Sequence, residues 1–176
     1  EFRRVLFRSP NITQRVVSAG APADMLLLAV APEKLVGLSS FDLSRQTAIP
    51  FHDDIRALPK LGRLAGRAST LSLEALLALK PDLVVDCGNA DETWLSQARQ
   101  VSAQTHIPWL LINGELRHTP EQLHAAGEAL GVVSRTAMQA ALARRFIDNA
   151  IAFSHTAAAN LRFYAARGAR DRKSTR

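Results

Sequence analysis

The sequence is short of the residues that carry many familiar chemistries. Its 176 residues include one cysteine, Cys87, one tyrosine and two tryptophans. A single cysteine excludes a disulfide framework and a cysteine-based zinc site. No apolar run approaches the ~18–20 residues that a membrane-spanning helix needs. The body of the chain also has almost no net charge. The total is +6, but residues 1–9 carry three Arg and one Glu, and residues 170–176 carry four basic residues and one Asp. The 160 residues between them hold 15 Lys/Arg and 14 Asp/Glu. A nucleic-acid footprint belongs on the folded body, so nucleic acid is excluded as the main partner. The body itself is of globular composition, 47% apolar and 22% charged overall, which suits a packed domain rather than a disordered one.

The two ends read as foreign. Residues 1–9 (EFRRVLFRS) and the final DRKSTR show no periodicity that continues inward. They resemble translated sequencing-adapter read-through, so residues 1–9 and 170–176 are expected to be non-native tails and are set aside from fold reasoning.

Between them, short β-branched runs alternate with helical patterns. Arg15–Ala19 and Leu35–Ser39 read as strands, with a helix from Pro22 to Ala31 between them. Residues 40–68 have no clear period and contain Pro50, Pro59, Gly62 and Gly66, so a long loop is expected. Ser72 caps a helix to Leu79, with Glu74 in its first turn. Leu83–Cys87 is an apolar strand of the buried parallel type. Asp91 caps a helix to about Ala103, and Trp109–Asn113 is a fourth strand. Thr119-Pro120-Glu121-Gln122 reads as a capping box that opens a helix ending at Gly131. A longer helix is expected over Ser134–Ala157, with Met138, Leu142, Phe146 and Phe153 near one face. Leu161–Ala165 reads as a strand that begins something new. This order predicts an α/β fold, an open parallel sheet with helices on both faces, plus a long helix.

Ligands of such sheets bind beyond the carboxyl ends of the strands. That rule selects Gly20, Ala21 and Pro22, then Ser39, Ser40 and Phe41, then Gly88 and Asn89, then Asn113, Gly114 and Glu115. Arg63 and Arg67 sit in a Gly-rich stretch of the long loop. They either grip an anionic ligand or belong to a solvated loop. Phe41 and Trp94 each have two readings, ligand cover or packing. Asp86, inside an apolar strand, reads first as a structural carboxylate and second as a ligand contact. Asp24 reads as a complement to its helix dipole. The catalytic motifs fail one by one. Gly62–Ser69 is too short for a P-loop and has Arg where Lys is needed. Pro22 breaks a dinucleotide fingerprint. There is no GxSxG elbow, and no two histidines are spaced i,i+4. His52-Asp53-Asp54 is a loop cluster that reads as solvated. No metal ligand set and no catalytic residue is assigned.

Leu58-Pro59-Lys60-Leu61-Gly62 followed by Leu71-Ser72-Leu73-Glu74-Ala75-Leu76-Leu77-Ala78-Leu79-Lys80-Pro81-Asp82-Leu83-Val84-Val85 resembles a stretch of the periplasmic solute-binding proteins with a helical backbone. These serve ABC importers of iron-siderophores, cobalamin and haem. Arg15–Gly20, Val36-Gly37-Leu38, Ile107–Ile112 and Arg162–Gly168 are similar to other parts of the same family. The resemblance implies two α/β lobes joined by one long helix, with ligand held in the cleft between lobes. Residues 10–131 are then the N-terminal lobe, 132–158 the inter-lobe helix, and 159–169 the first strand of a truncated second lobe. Glu74 matches the family glutamate that docks on the permease dimer in the membrane. Arg63 and Arg67 favour a negatively charged ferric siderophore over a neutral corrinoid. Haem wants a Tyr or His axial ligand, and the candidates are Tyr164 and His52. Iron enters only as part of the ligand, with no resident cofactor. The expected protein is a periplasmic or lipid-anchored monomer whose signal sequence precedes this piece. A small flavodoxin-like or Rossmann-like enzyme and a one-lobe interaction module remain as alternatives.

Overall fold

The computed structural model describes residues 13–44, 51–64, 69–88 and 90–156. The expected tails and the strand at Leu161–Ala165, with Tyr164, lie outside the described residues. A parallel sheet of three strands, β1 (Val16–Ser18), β2 (Leu83–Gly88) and β3 (Trp109–Asn113), is ordered as in the sequence. Val17 pairs with Val84, and Val85 pairs with Leu110. Successive strand residues face opposite sides, and both sides are covered. On one face, Val16, Val85 and Ile112 pack with Leu27 of α1 (Ala21–Val30) and with Leu123 and Ala126 of α5 (Thr119–Leu130). On the other, Val17, Val84, Trp109 and Leu111 pack with Leu76 of α3 (Leu73–Ala78) and with Leu95 and Ala98 of α4 (Glu92–Thr105). This is the α/β sheet that the strand–helix alternation implies.

Two local expectations are corrected. Leu35–Ser39 is no strand. It makes isolated bridges at Val16–Leu35 and Leu38–Lys60. Val36 donates to Val16 O at 3.1 Å, whereas Leu38 donates to Pro59 O at 2.9 Å and accepts from Leu61 N. The segment divides its backbone bonds between β1 and residues 59–61, and neither partner builds a ladder. Gly37 permits the crossing, because a Cβ there would lie 2.8 Å from Pro59 O. The long loop also contains one helical turn, α2 (Asp53–Arg56), with Ile55 buried. The second correction concerns the start of α5. Thr119 is inside the helix, and its hydroxyl donates to Leu116 O at 2.7 Å instead of capping. Gln122 Nε2 reaches back to Glu115 O at 2.6 Å. A 3-10 turn at Leu116–His118 leads into the helix and takes up both side chains. By contrast, Ser72 and Asp91 cap α3 and α4 as expected, accepting from Ala75 N and from Thr93 N and Trp94 N. Their short polar side chains precede the first helical amides and satisfy them.

The longest helix is α6 (Val133–Ser154), of 22 residues. Its first half lies on α5, and it also closes the end of α1. Arg135 Nη1 donates to Val30 O at 2.7 Å and Gln139 Nε2 donates to Ala29 O at 2.7 Å. These are carbonyls that the helix leaves without internal partners. Met138, Leu142, Phe146 and Phe153 are exposed among the described residues. Neither α6 nor any other described helix is long and apolar enough to cross a membrane.

The α5–α6 contact depends on Gly127. A Cβ at that position would collide with the hydroxyl of fully buried Thr136 and lie 3.0 Å from its Cβ. Gly127→Ala is expected to lower stability by about 1–3 kcal/mol through overpacking. Adding Thr136→Ala is expected to return part of that loss in chemical denaturation, because the colliding hydroxyl is then gone.

Candidate functional site

The carboxyl edge of the sheet is organised by one buried carboxylate. Asp24, in the first turn of α1, has no exposed surface. It accepts from the Ser18 hydroxyl at the end of β1, from Ser39 N at 2.8 Å, from Ser39 Oγ at 2.9 Å and from Ser40 N at 2.8 Å. A buried carboxylate is costly unless its lone pairs are filled, and here they are. Asp24 therefore ties together β1, α1 and the segment at Ser39-Ser40. Its expected role as a dipole complement understates this. The signal in the sequence was the set of hydroxyls at Ser18, Ser39 and Ser40, short donors near strand ends.

Above this clamp lies a cavity of about 320 Å³, at the lower end of the range of small-molecule sites. Its walls include Gly20, Ala21 and Pro22 from the start of α1, Ser40, Arg63, and Asp86, Cys87 and Gly88 from β2, with Trp94 from the first turn of α4. Six of the residues selected by the strand-end rule and the loop argument thus meet here: Gly20, Ala21, Pro22, Ser40, Arg63 and Gly88. The other described ones do not line it. Ser39 is buried beneath, on Asp24. Phe41 packs against the core on the α1 side of the sheet. Asn113 is exposed at the end of β3, where its Oδ1 accepts from Glu115 N at 3.1 Å. Gly114 supports the floor: its amide donates to Gly88 O at 2.7 Å, and a Cβ on it would come within 3.0 Å of Gly88 Cα. Gly88 itself has φ +146°, which disfavours any side chain there. Arg67 and Asn89 lie outside the described residues. His52 and Asp54 stand in solvent, 4.0 Å apart, and no cluster of three metal-ligating side chains occurs among the described residues.

Asp86, first read as structural, and Trp94 are cavity residues. Strand alternation could have placed Asp86, since it projects from the same face of β2 as Val84, toward α4 and Trp94. Asp86 is 7% exposed. Its Oδ1 accepts from Cys87 N at 2.9 Å, the one hydrogen bond its side chain shows among the described residues. Burial pushes its pKa up to about 6, against the smaller opposing effect of that amide. Burial and then the neighbouring Asp86 charge push the Cys87 thiol up to about 11, so it is protonated and a poor nucleophile at neutral pH. The Ser40 hydroxyl pairs with Ser39 Oγ at 3.1 Å and not with a general base. Arg63 is held by its backbone. Its amide donates to Thr70 Oγ1 at 3.0 Å and its carbonyl accepts from Thr70 N and Leu71 N. Its guanidinium has no partner among the described residues.

Glu74 is exposed on α3. Its own backbone amide and the Ser72 hydroxyl hold its carboxyl below the ordinary range. Arg15 Nη2 donates to Leu79 O at 2.8 Å, and Asp82 Oδ2 accepts from the amides of Gln14 and Arg15. These contacts fix the end of α3 at the amino edge of the sheet. The helix starts toward the opposite edge, where Leu64 N donates to Ala19 O at 3.1 Å. Glu74 is thus an ionised group on the flank of the cavity end of the molecule.

No family model and no curated protein sequence matches the chain. Solved structures do. An ABC transporter solute binding protein from Sulfurospirillum deleyianum superposes with a TM-score of 0.72 at 21% identity, over 84% of this chain and 46% of that one. This is the fold of one half of an ABC transporter solute-binding protein. A periplasmic heme-binding protein from Pseudomonas aeruginosa matches 81% of this chain and 47% of its own, with a TM-score of 0.55 at 22% identity. Staphylococcus aureus SirA, solved with staphyloferrin B, matches 84% and 46%, with a TM-score of 0.51 at 20% identity. The chain spans about half the length of the solute-binding structures it matches. These three are binding proteins rather than enzymes, and α6 gives the half-fold its long helix.

The raised pKa of Asp86 has a consequence for stability. In the unfolded chain the group titrates near 3.8, and in the fold near 6. Between those values the native state holds a proton that the unfolded state has lost, so stability falls as pH rises. The full loss is about 3 kcal/mol and is complete above pH ~6–7. Asp86→Asn is expected to flatten this part of a denaturation-versus-pH profile and to be more stable than the parent at pH 7.5.

Proposed function

We propose that the chain is the ligand-capturing half of the substrate-binding component of an ABC importer, and that its cargo is an iron complex, a ferric siderophore above all. The observation that carries this reading is the cavity at the carboxyl edge of the sheet with Arg63 in its wall, its guanidinium unpaired among the described residues. An arginine without a carboxylate partner beside a concave, partly apolar surface suits an anionic ligand. Trp94 offers an aromatic face, and the N-terminus of α1 adds a favourable dipole for negative charge. Among the described residues the wall pairs no nucleophile with a base, which favours capture over bond-making. The half-fold shared with solute-binding proteins, two of them named for heme or solved with a siderophore, supports the same reading. A second lobe then supplies the opposite wall.

Delivery follows from Glu74. An exposed, ionised carboxylate on a capped first turn suits an arginine of the membrane permease, and Glu74, outside the cavity lining, leaves the cavity free while it docks. Such a protein works as a monomer in the periplasm or tethered to the outer face of a membrane.

Trp94 supplies the test. Ferric citrate, a ferric hydroxamate chelate, hemin and cyanocobalamin are titrated against the 176-residue chain while tryptophan fluorescence is followed. A ferric chelate is expected to quench saturably, Trp94→Phe to remove most of that signal, and Arg63→Glu to weaken binding by 10-fold or more. Absence of saturable quenching by all four, or an affinity unchanged in Arg63→Glu, contradicts the proposal.

A further inference from the structure

The cavity contains an opposition that capture of an anion must resolve. Arg63 and the start of α1 favour negative charge, yet Asp86 is a carboxyl group in the same wall. Its Oδ1 is occupied by Cys87 N, whereas Oδ2 has no hydrogen-bond partner among the described residues. It is more than nine-tenths buried. A carboxylate so placed repels an anionic ligand strongly, because little water screens it. A carboxylic acid in the same place is a hydrogen-bond donor.

The other charged groups near Asp86 do not neutralise it. On β3 its partner is Leu111, and on the β1 side the residue beyond the Ser18–Val85 pair is Ala19, neither of them charged. On α1 the carboxylate of Asp24 is consumed by Ser18, Ser39 and Ser40. On α4, Asp91 caps the first amides and Glu92 is exposed. Glu74 is exposed on α3. From the loop comes Arg63, exposed and without an ion pair to Asp86. On the opposite face of β2 the Cys87 thiol is neutral. Nothing among the described residues provides Asp86 with a countercharge, so a proton is what balances it.

Resting on the proposed capture of an anionic chelate, we propose that Asp86 is the cavity's specificity determinant and binds as the neutral acid: Oδ2–H donates to an oxygen of the ligand while Arg63 pairs with its negative charge. One proton from solvent then enters with each ligand wherever Asp86 is ionised in the free protein. The cargo this selects is an oxygen-rich anionic chelate, carboxylate or hydroxamate in type, rather than a cationic or amine-bearing one. Since burial already lifts Asp86 to about 6, ligand lifts it further, and affinity declines above that pH.

Gallium(III) citrate, a diamagnetic counterpart of ferric citrate, is the probe. Amide chemical shifts of the 176-residue chain read affinities down to the millimolar range. For the parent, the dissociation constant is expected to rise about 30-fold between pH 5 and pH 7.5, the ratio that follows when only the protonated form of a group near pKa 6 binds. Asp86→Asn, which keeps a donor at that place and cannot ionise, is expected to lose that excess pH dependence and to bind more tightly than the parent at pH 7.5. The side-chain carbon resonance of Asp86 is expected to titrate at a higher pH in the saturated protein than in the free one. The same pH profile in parent and Asp86→Asn overturns the proton coupling but leaves capture standing. Affinity that rises with pH in the parent alone shows that Asp86 acts as an acceptor for a donor-bearing ligand, which also overturns it. Absence of binding by both proteins at every pH overturns the capture reading itself, and the inference with it.

Discussion

Everything at the cavity end of this molecule depends on the burial of one carboxylate. Asp24 comes from α1 and is held by hydroxyls and amides from β1 and from the segment after the sheet-edge bridge. Unpaired, it would be far too costly to keep inside. Its four donors fix three backbone segments at once, and these include the start of α1 and Ser40 in the cavity wall. The cavity is therefore pre-shaped by the fold's own polar core. On the proposed reading, binding costs little ordering of those segments, which is how a rigid cleft gains affinity.

The second carboxylate, Asp86, is the converse. It is buried at the same edge with a single amide for company among the described residues, and burial disfavours its anion. The contrast is instructive because the two residues differ little in exposure. What separates them is the supply of donors: Asp24 has enough to remain useful as structure, and Asp86 has too few to be explained by structure alone. A poorly satisfied polar group facing a concave surface marks a functional position more often than a well-satisfied one.

Much of the architecture was legible in the sequence. Apolar runs at Leu83–Cys87 and Trp109–Asn113, with capping residue Ser72 before the first and Asp91 between the two, specify a parallel sheet with crossover helices. The strand-end rule picks out Gly20, Ala21, Pro22, Ser40 and Gly88, which line the cavity. Legibility failed where tertiary bonding outvoted local pattern. Leu35–Ser39 has strand composition, but its hydrogen bonds are split between β1 and residues 59–61, a pairing no local window shows. Thr119 and Gln122 have capping spacing, yet the preceding turn claims both side chains. In the site, Ser39 and Phe41 were selected by position along the chain, while the face each side chain takes was not readable. Asp86 was readable by period-2 alternation, and its apolar flanks hid it.

The central claim is that the carboxyl edge of this sheet is where a metal chelate is held. A crystal structure of the chain grown in the presence of ferric citrate tests it most directly, because iron can be located by its anomalous scattering. The account predicts iron within the cavity bounded by Arg63, Asp86 and Trp94, with chelate oxygens directed at Arg63 and Asp86. Iron bound at another surface, with this cavity unchanged, would contradict it.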